Sequence, residues 1–329
     1  MTPYEYHLHL LSQTAPALRY DGSQPLEDWR QAARAKLREL LGLDNYVPCD
    51  LNIQAEAPED MGAYTRMRFS FESEQGYRVP GWWLMPKAPA ARPRDVMICL
   101  VGHGASMHLA IGVGKFPRDA QSLGSGHDYA LQAVARGLCA LTIEQRNFGE
   151  CGGKPDGGSD CYMPSMTGYL LGRTTIGNRV WDVMRAVGCL DTLLPGAGKV
   201  FIMGNSGGGT VSWYATAMEP RIDAAMPSCS VCSYDGSIAP IHHCECNYVP
   251  GIRRWFDMGD LAGLISPRPL LLVTGAQDRI FPIDAVRGTF RLVQSYYGAA
   301  GAADNCALHV GAEGHKFYMA AWEEFLRMA

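Results

Sequence analysis

Residues Lys199 to Thr210 read Lys-Val-Phe-Ile-Met-Gly-Asn-Ser-Gly-Gly-Gly-Thr, an apolar run that stops at a serine set among glycines. Gly204-Asn205-Ser206-Gly207-Gly208 fits G-x-S-x-G, a strand, a sharp turn and a helix start, with the serine hydroxyl lifted clear of its surroundings. A serine hydroxyl attacks a carbonyl only when a base takes its proton, and that base needs an acid to orient it. Both types follow downstream. Asp278 closes Thr274-Gly275-Ala276-Gln277-Asp278 after the apolar run 270–274, and His315 closes Gly311-Ala312-Glu313-Gly314-His315 after the last such run. The order Ser, Asp, His therefore places three complementary chemistries after three separate apolar runs. Each has a plainer reading. The glycine-rich turn also suits a tight connection or a phosphate cradle, and Asp278 suits a cap for a helix near Pro282. His309 rivals His315 but falls inside a strand, while Glu313, Asp284 and Asp257 are weaker rivals for the acid.

The elements that must position these residues alternate along the chain. Trp29, Ala33, Leu37 and Leu40 predict an amphipathic helix within 24–42, with Pro25 at its start and Gly42 past its end. Residues 51–57 and 65–73 alternate as antiparallel strands, with 77–85 as partner. From Val96 to Val101 the chain turns continuously apolar, as in a strand buried on both faces. Strands over 138–143, 200–203, 224–226, 270–274 and 306–310 then alternate with helices over 129–136, 176–194, 207–218, 284–297 and 317–327. This predicts an α/β fold with a mostly parallel, doubly wound sheet, antiparallel N-terminal edge strands and helices on both faces. Ligands in such sheets bind beyond the carboxyl ends of the strands, where Ser206 lies. The chain reads as one domain over 1–329, with a helical extension over 1–48. Two irregular rim insertions, 149–172 and 228–260, lie above the site.

At 329 residues and a net charge of −4, the chain has ample length for a core and no basic bias toward nucleic acid or anionic membrane. No apolar stretch approaches the ~20 residues of a membrane span, and Met1 to Leu18 does not read as a secretory signal. Eleven scattered cysteines argue against a disulfide framework and for a reducing, cytoplasmic setting. The tract His242-His243-Cys244-Glu245-Cys246 has ligand types but neither CxxC spacing nor a second half, so no metal is expected.

From about Val79 onward the chain resembles the α/β-hydrolase superfamily, in particular its acetyl xylan esterase and dienelactone hydrolase branch. The residues carrying the likeness are Gly102-His103-Gly104, Glu144-Gln145-Arg146-Asn147-Phe148-Gly149-Glu150, Arg179-Val180-Trp181-Asp182, the Ser206 turn, Pro267-Arg268-Pro269-Leu270-Leu271, Asp278 and Gly314-His315. Arg146-Asn147 stands where relatives have Arg-Gly, and Ala105 where they often carry a larger side chain. The resemblance implies an oxyanion hole made by the backbone N–H groups of Gly207 and Ala105. It implies a serine carboxylic-ester hydrolase acting through an acyl-enzyme on small, short-chain, acetyl-like esters, with acetylated sugars among the candidates and no cofactor. A thioester, lactone or peptide hydrolase with the same triad is the alternative, and a non-catalytic binding protein of the same fold is another. Arg146, Arg179 and Asp182 read as a structural charge network. Tyr162, Tyr169, Trp255 and Phe256 read as candidates to line a pocket for the acyl or alcohol group. The oligomeric state is open.

Overall fold

The computed structural model describes residues 1–89 and 93–329. Its strands, in chain order, are β1 (Gln54–Ala55), β2 (Glu59–Asp60), β3 (Tyr64–Glu74), β4 (Tyr77–Pro86), β5 (Val96–Leu100), β6 (Cys139–Ile143), β7 (Val200–Asn205), β8 (Ala224–Ser228), β9 (Leu270–Gly275) and β10 (Cys306–Gly311). They form one sheet in the order β1-β3-β4-β6-β5-β7-β8-β9-β10, with β2 also paired to β3. From β6 to β10 every pairing is parallel, while β1 to β4 form the antiparallel edge, as the sequence predicts. The chain leaves β5 toward β6 on one side and comes back to β7 on the other. The loops after β5 and β7 therefore face each other across a topological switch point, where a crevice opens.

The continuous apolar runs are explained by two cores. In β5, Val96, Ile98 and Leu100 face one and Met97 and Cys99 the other; β7 divides in the same way, Val200 and Ile202 against Phe201 and Met203. Side chains alternate across a pleated strand, so a strand buried on both faces must be apolar at every position. Helices Leu26–Leu41, Thr175–Leu193, Gly207–Met218 and Ile283–Ala299 supply the first core; Tyr129–Ala135 and Ala321–Met328 supply the second.

The structure departs from the sequence reading in several places, and the helix expected over 317–327 starts only at Ala321. The segment 51–57 yields only the two-residue β1, with single bonds to β3 on either side of it, Glu56 N–H to Arg68 O at 2.9 Å and Glu72 N–H to Leu51 O at 2.7 Å. The insertion 149–172 contains a helix, Tyr162–Leu170, that its glycines and prolines obscured. The N-terminus forms a further helix, Pro3–Gln13, started by a capping box in which Thr2 and Glu5 satisfy each other's backbone N–H groups. No residue of that helix is buried. A cavity of about 690 Å³ lies beneath it, lined by His7, Leu11, Tyr234 and Tyr248 among others, and contains none of the three candidate catalytic side chains.

Helix Leu26–Leu41 is tied in more firmly. Trp29 is fully buried, donates its ring N–H to Leu18 O at 2.8 Å and packs on Tyr296 with ring centroids 5.2 Å apart. A Cβ on Gly263 would come within 2.4 Å of the Trp29 ring, so that glycine is required for the fit. Trp29→Ala should lower the unfolding free energy by about 3–5 kcal/mol, the usual cost of removing a buried aromatic. A urea titration followed by fluorescence of the remaining tryptophans checks this; a loss below about 1 kcal/mol would mean that the helix is only loosely docked.

Candidate active site

Ser206 sits at φ 54° and ψ −121°, a region that costs a non-glycine residue about 1–3 kcal/mol. The conformation is held from both sides. Ser206 N–H donates to Ser228 O on β8 at 2.8 Å, and Thr210 N–H donates to Ser206 O at 2.8 Å, closing the first helical turn. The neighbouring glycines are needed because backbone passes where a side chain would be. A Cβ on Gly208 would lie 2.3 Å from Leu100 O, and one on Gly204 2.4 Å from Gly208 C. The strand-turn-helix that the motif implies is thus built by β7 and helix Gly207–Met218.

Asp278 lies beyond β9 with its side chain fully shielded from solvent, and its Oδ2 is 2.8 Å from His315 Nδ1 beyond β10. Its Oδ1 accepts from the N–H groups of Ile280 at 2.8 Å and Phe281 at 3.1 Å. Burial alone would raise this carboxyl. The His315 hydrogen bond, the attraction of that ring and the two amides outweigh it and hold Asp278 below its ordinary value. Asp278 therefore does not cap helix Ile283–Ala299, which has no side-chain cap; its carboxylate shapes its own turn and binds the histidine at once. Phe281 stacks on the His315 ring, centroids 5.9 Å apart at 16°. Cys229 lies close enough to Asp278 and His315 to share one cluster with them; burial pushes its thiol up to about 12, and its Sγ reaches Lys316 O at 3.2 Å, so it stays a neutral neighbour.

Ser206 and His315 line one cavity of about 460 Å³, together with Gly207, Thr210, His103, His242, His243, Cys244, Glu245, Asn247, Ile280 and Phe281. Gly207 opens the helix, so its N–H has no acceptor within it. The loop after β5 runs alongside: a Cβ on Gly207 would lie 3.1 Å from His103 N. Ala105 N–H is committed to its own loop, donating to Gly102 O at 3.2 Å. The loop after β5 that the resemblance assigns to the oxyanion hole through Ala105 thus lies against Gly207, with His103 N beside it and Ala105 N–H closing the turn on Gly102 O. Beneath that loop Glu144, fully buried after β6, accepts from Ser106 Oγ at 2.5 Å and from the N–H groups of Met107 and Glu150 at 3.2 Å each.

The rival residues are placed elsewhere. His309 is on β10 and pairs with Glu324 at 2.9 Å. Asp257 caps the turn Met258–Leu261, Asp284 lies in the first turn of helix Ile283–Ala299, and Glu313 pairs with Lys316. The charge network takes the form Arg146 to Asp182 through two bonds of 2.8 Å, with Glu74 as a second partner at 2.8 Å. Arg179 does not join it through a carboxylate but donates twice to Arg146 O, at 3.0 and 2.9 Å. None of the four rim aromatics lines the cavity. Phe256 is in the core, Trp255 packs beneath Lys36, Tyr162 is exposed, and Tyr169 donates to Glu245 O at 3.0 Å and Tyr248 O at 2.9 Å. Tyr169 instead ties the two insertions together.

A second His–Asp pair, His108 with Asp119 at 2.7 Å, is buried away from Ser206 and was not anticipated. His243 was missed as a site residue too. Ser237 Oγ donates to Ile280 O at 2.6 Å, so at 3.0 Å it accepts from His243 Nε2–H, which fixes that ring beside Phe281. The one sequence signal for it was its place immediately before Cys244 in a polar tract without period.

No family model matches the chain. Among solved structures it is similar to a putative acetyl xylan esterase (BF1801) from Bacteroides fragilis NCTC 9343, with a TM-score of 0.79 and 17% identity, covering 100% of this chain and 89% of that one. It is also similar to a glucuronoyl esterase from Solibacter usitatus, with a TM-score of 0.72 and 17% identity, over 96% of this chain and 97% of that one. The chain has the α/β-hydrolase fold. Among sequences, "Putative hydrolase YtaP" of Bacillus subtilis (strain 168) is 24% identical over 250 residues, 72% of this chain and 78% of that protein. In the α/β-hydrolase fold the chain order Ser, Asp/Glu, His is the expected one, and Ser206, Asp278 and His315 follow it.

Asp278→Asn keeps an oxygen for the Ile280 and Phe281 amides but removes the charge facing His315 Nδ1. Turnover should fall by about 10⁴-fold with the fold retained. The folded-state value of Asp278 is depressed, so its contribution to stability is complete above the unfolded carboxylate range and is lost as pH falls through the lowered value. Acid titration should accordingly destabilise the native chain more steeply than the variant, and equal slopes would show that the Asp278–His315 contact is weak in solution.

Proposed function

We propose that the chain is a serine carboxylic-ester hydrolase that cleaves small, short-chain esters of hydroxylated alcohols. The observation that carries this reading is a serine held at positive φ in the same cavity as a histidine whose far nitrogen is bound to a shielded, ionised aspartate. Ser206 Oγ attacks the ester carbonyl while His315 Nε2 takes its proton, and Asp278 holds Nδ1–H and stabilises the cationic ring. The tetrahedral oxyanion is received by Gly207 N–H and a second backbone N–H of the loop after β5, that of Ala105 or of His103 beside Gly207, and a backbone donor of this kind contributes roughly 2.7–4 kcal/mol to the transition state. His315 then protonates the leaving alcohol. Water, deprotonated by the same ring, releases the acid and restores Ser206.

Support for the substrate class comes from the lining. Around Ser206 the cavity presents the polar side chains of Thr210, His242, His243, Glu245 and Asn247 beside Cys244, Ile280 and Phe281. Such a wall suits an alcohol bearing hydroxyl groups and leaves little surface for a long acyl chain. The similar structures named as acetyl xylan and glucuronoyl esterases act on esters whose sugar is the alcohol in the first and the acyl group in the second, and both agree with a sugar ester as substrate. With the anticipated rim aromatics placed elsewhere, size selection rests on the tract 242–247 and on Ile280 and Phe281.

Ser206→Ala should keep the native melting curve and lose about 10⁴- to 10⁶-fold in turnover. Labelling of the native protein by a fluorophosphonate should be abolished by that substitution, and an unlabelled native Ser206 would reassign the chain to ligand binding. Across nitrophenyl esters kcat/KM should be highest for acetyl and fall beyond about six acyl carbons, since each further methylene must displace a packed wall. Faster cleavage of octanoyl esters than of acetyl esters would overturn the short-chain reading.

A further inference from the structure

Three segments that are far apart in the chain meet on one side of the catalytic cavity, and each brings a soft ligand. His103 comes from the loop after β5 and Cys161 from the residue before helix Tyr162–Leu170. Cys244 and Cys246 flank Glu245 in the second insertion, around a short turn over Glu245–Asn247. One ring nitrogen and three sulfurs lie within 4.8 Å of one another, with Cys161 Sγ to His103 Nε2 at 3.7 Å. A tetrahedral zinc with Zn–S of about 2.3 Å and Zn–N of about 2.0–2.1 Å has ligand–ligand edges of roughly 3.5–3.8 Å. The four side chains are therefore within about an ångström of that polyhedron. The second half that the tract 242–246 lacks in sequence is supplied by Cys161 and His103, while His242 and His243 stay outside the cluster.

An independent observation concerns charge. Arg179 is almost fully buried and packs over the Phe148 ring, 4.0 Å to its centroid. Among the described residues it has no carboxylate partner; its donors go to Arg146 O and, at 3.9 Å, to Cys161 Sγ. A buried guanidinium without a counter-charge is costly. A divalent cation with three thiolates and a neutral imidazole carries a net charge of −1 at that place. An entry path is present as well, because His103 is exposed and Cys244 half-buried on the cavity side.

We propose that His103, Cys161, Cys244 and Cys246 form a structural zinc site that clamps the loop after β5 to both rim insertions. Binding is not a redox step: three thiols give up their protons to solvent, the imidazole binds through Nε2, and the aquo ion loses its waters. Four protein ligands leave no open position, so the metal holds structure and does not activate water. Its effect on hydrolysis would be through position, since the metal-held ring belongs to the residue whose N–H adjoins Gly207.

The test uses the full chain in the Ser206→Ala background, so that its outcome is independent of the proposed hydrolysis. Protein purified with a reductant and without chelator should carry about one zinc per chain by elemental analysis. After removal of metal, cobalt(II) should give thiolate-to-metal charge transfer and the intense visible bands of a tetrahedral site. Cys244→Ser should reduce zinc content and alter the cobalt spectrum, while Cys306→Ser, a core cysteine outside the cluster, should change neither. Metal removal should lower Tm, and zinc should restore it. A reduced, folded chain that holds no zinc and gives no tetrahedral cobalt spectrum would overturn the proposal. A disulfide among Cys161, Cys244 and Cys246 in the isolated protein would overturn it as well, as would stoichiometric metal unaffected by Cys161→Ser and Cys244→Ser together.

Discussion

The backbone conformation of Ser206 depends on contacts that no side chain could make. Gly208 lets the start of helix Gly207–Met218 ride directly over the carbonyls of Leu100 and Val101, and Gly204 lets the strand pass beneath the same helix. Because β5 and β7 are neighbours, this approach brings Gly207 against the loop after β5. The strain at Ser206, on the order of 1–3 kcal/mol, is offset by hydrogen bonds to β8 and within the new helix and by burial of β7 on both faces. The position of Ser206, the helix N-terminus and the facing loop are thus consequences of one close packing of backbone on backbone.

A second layer fixes that loop from below. Glu144 holds Ser106, Met107 and Glu150, and burial, the largest influence, raises this carboxyl despite its three donors. Two residues on, Arg146 is clamped by Asp182 and Glu74, and its carbonyl receives Arg179. Gln145 donates to Val101 O at 2.6 Å between them. The segment after β6 therefore links helix Thr175–Leu193, the edge strand β3 and the loop after β5. Such pairs are costly to break, because one partner is then left charged and buried.

The carboxylate and histidine of the proposed triad reach the site by another route. β9 and β10 are parallel neighbours in register from Leu270–Cys306 to Gly275–Gly311, so the residues following them leave the sheet side by side. A Cβ on Gly275 would lie 2.2 Å from Gly314 O, which shows how tightly the two loops are packed. Asp278 then turns back on its own chain through Ile280 and Phe281, and Phe281 covers the His315 ring. Rigid strands set the distance between acid and base, and a short local turn sets the orientation.

Much of this was legible in the sequence because it depends on local periodicity. A strand buried on both faces must be continuously apolar and a half-buried helix must repeat at four-three spacing. Ser206 and Asp278 each follow such a strand and His315 follows the part-exposed edge strand β10, so their convergence at one end of the sheet could be read without a structure. Where the irregular segments go could not be read, since loops have no period to show which surface they meet. Tyr162, Tyr169, Trp255 and Phe256 looked like pocket aromatics by type, yet tertiary packing put one in the core, one on the surface, one under a lysine and one across the two insertions. The turn of the loop after β5, which engages Ala105 N–H and sets His103 N beside Gly207, is likewise set by neighbouring backbone. Cys161 and His103, 58 residues apart, meet Cys244 and Cys246 only because three connections fold over the same edge of the sheet. Residue types and their strand ends were determined by sequence alone. Which loop side chains share a volume was decided by the tertiary fold, because contact between aperiodic segments depends on the path of every element beneath them.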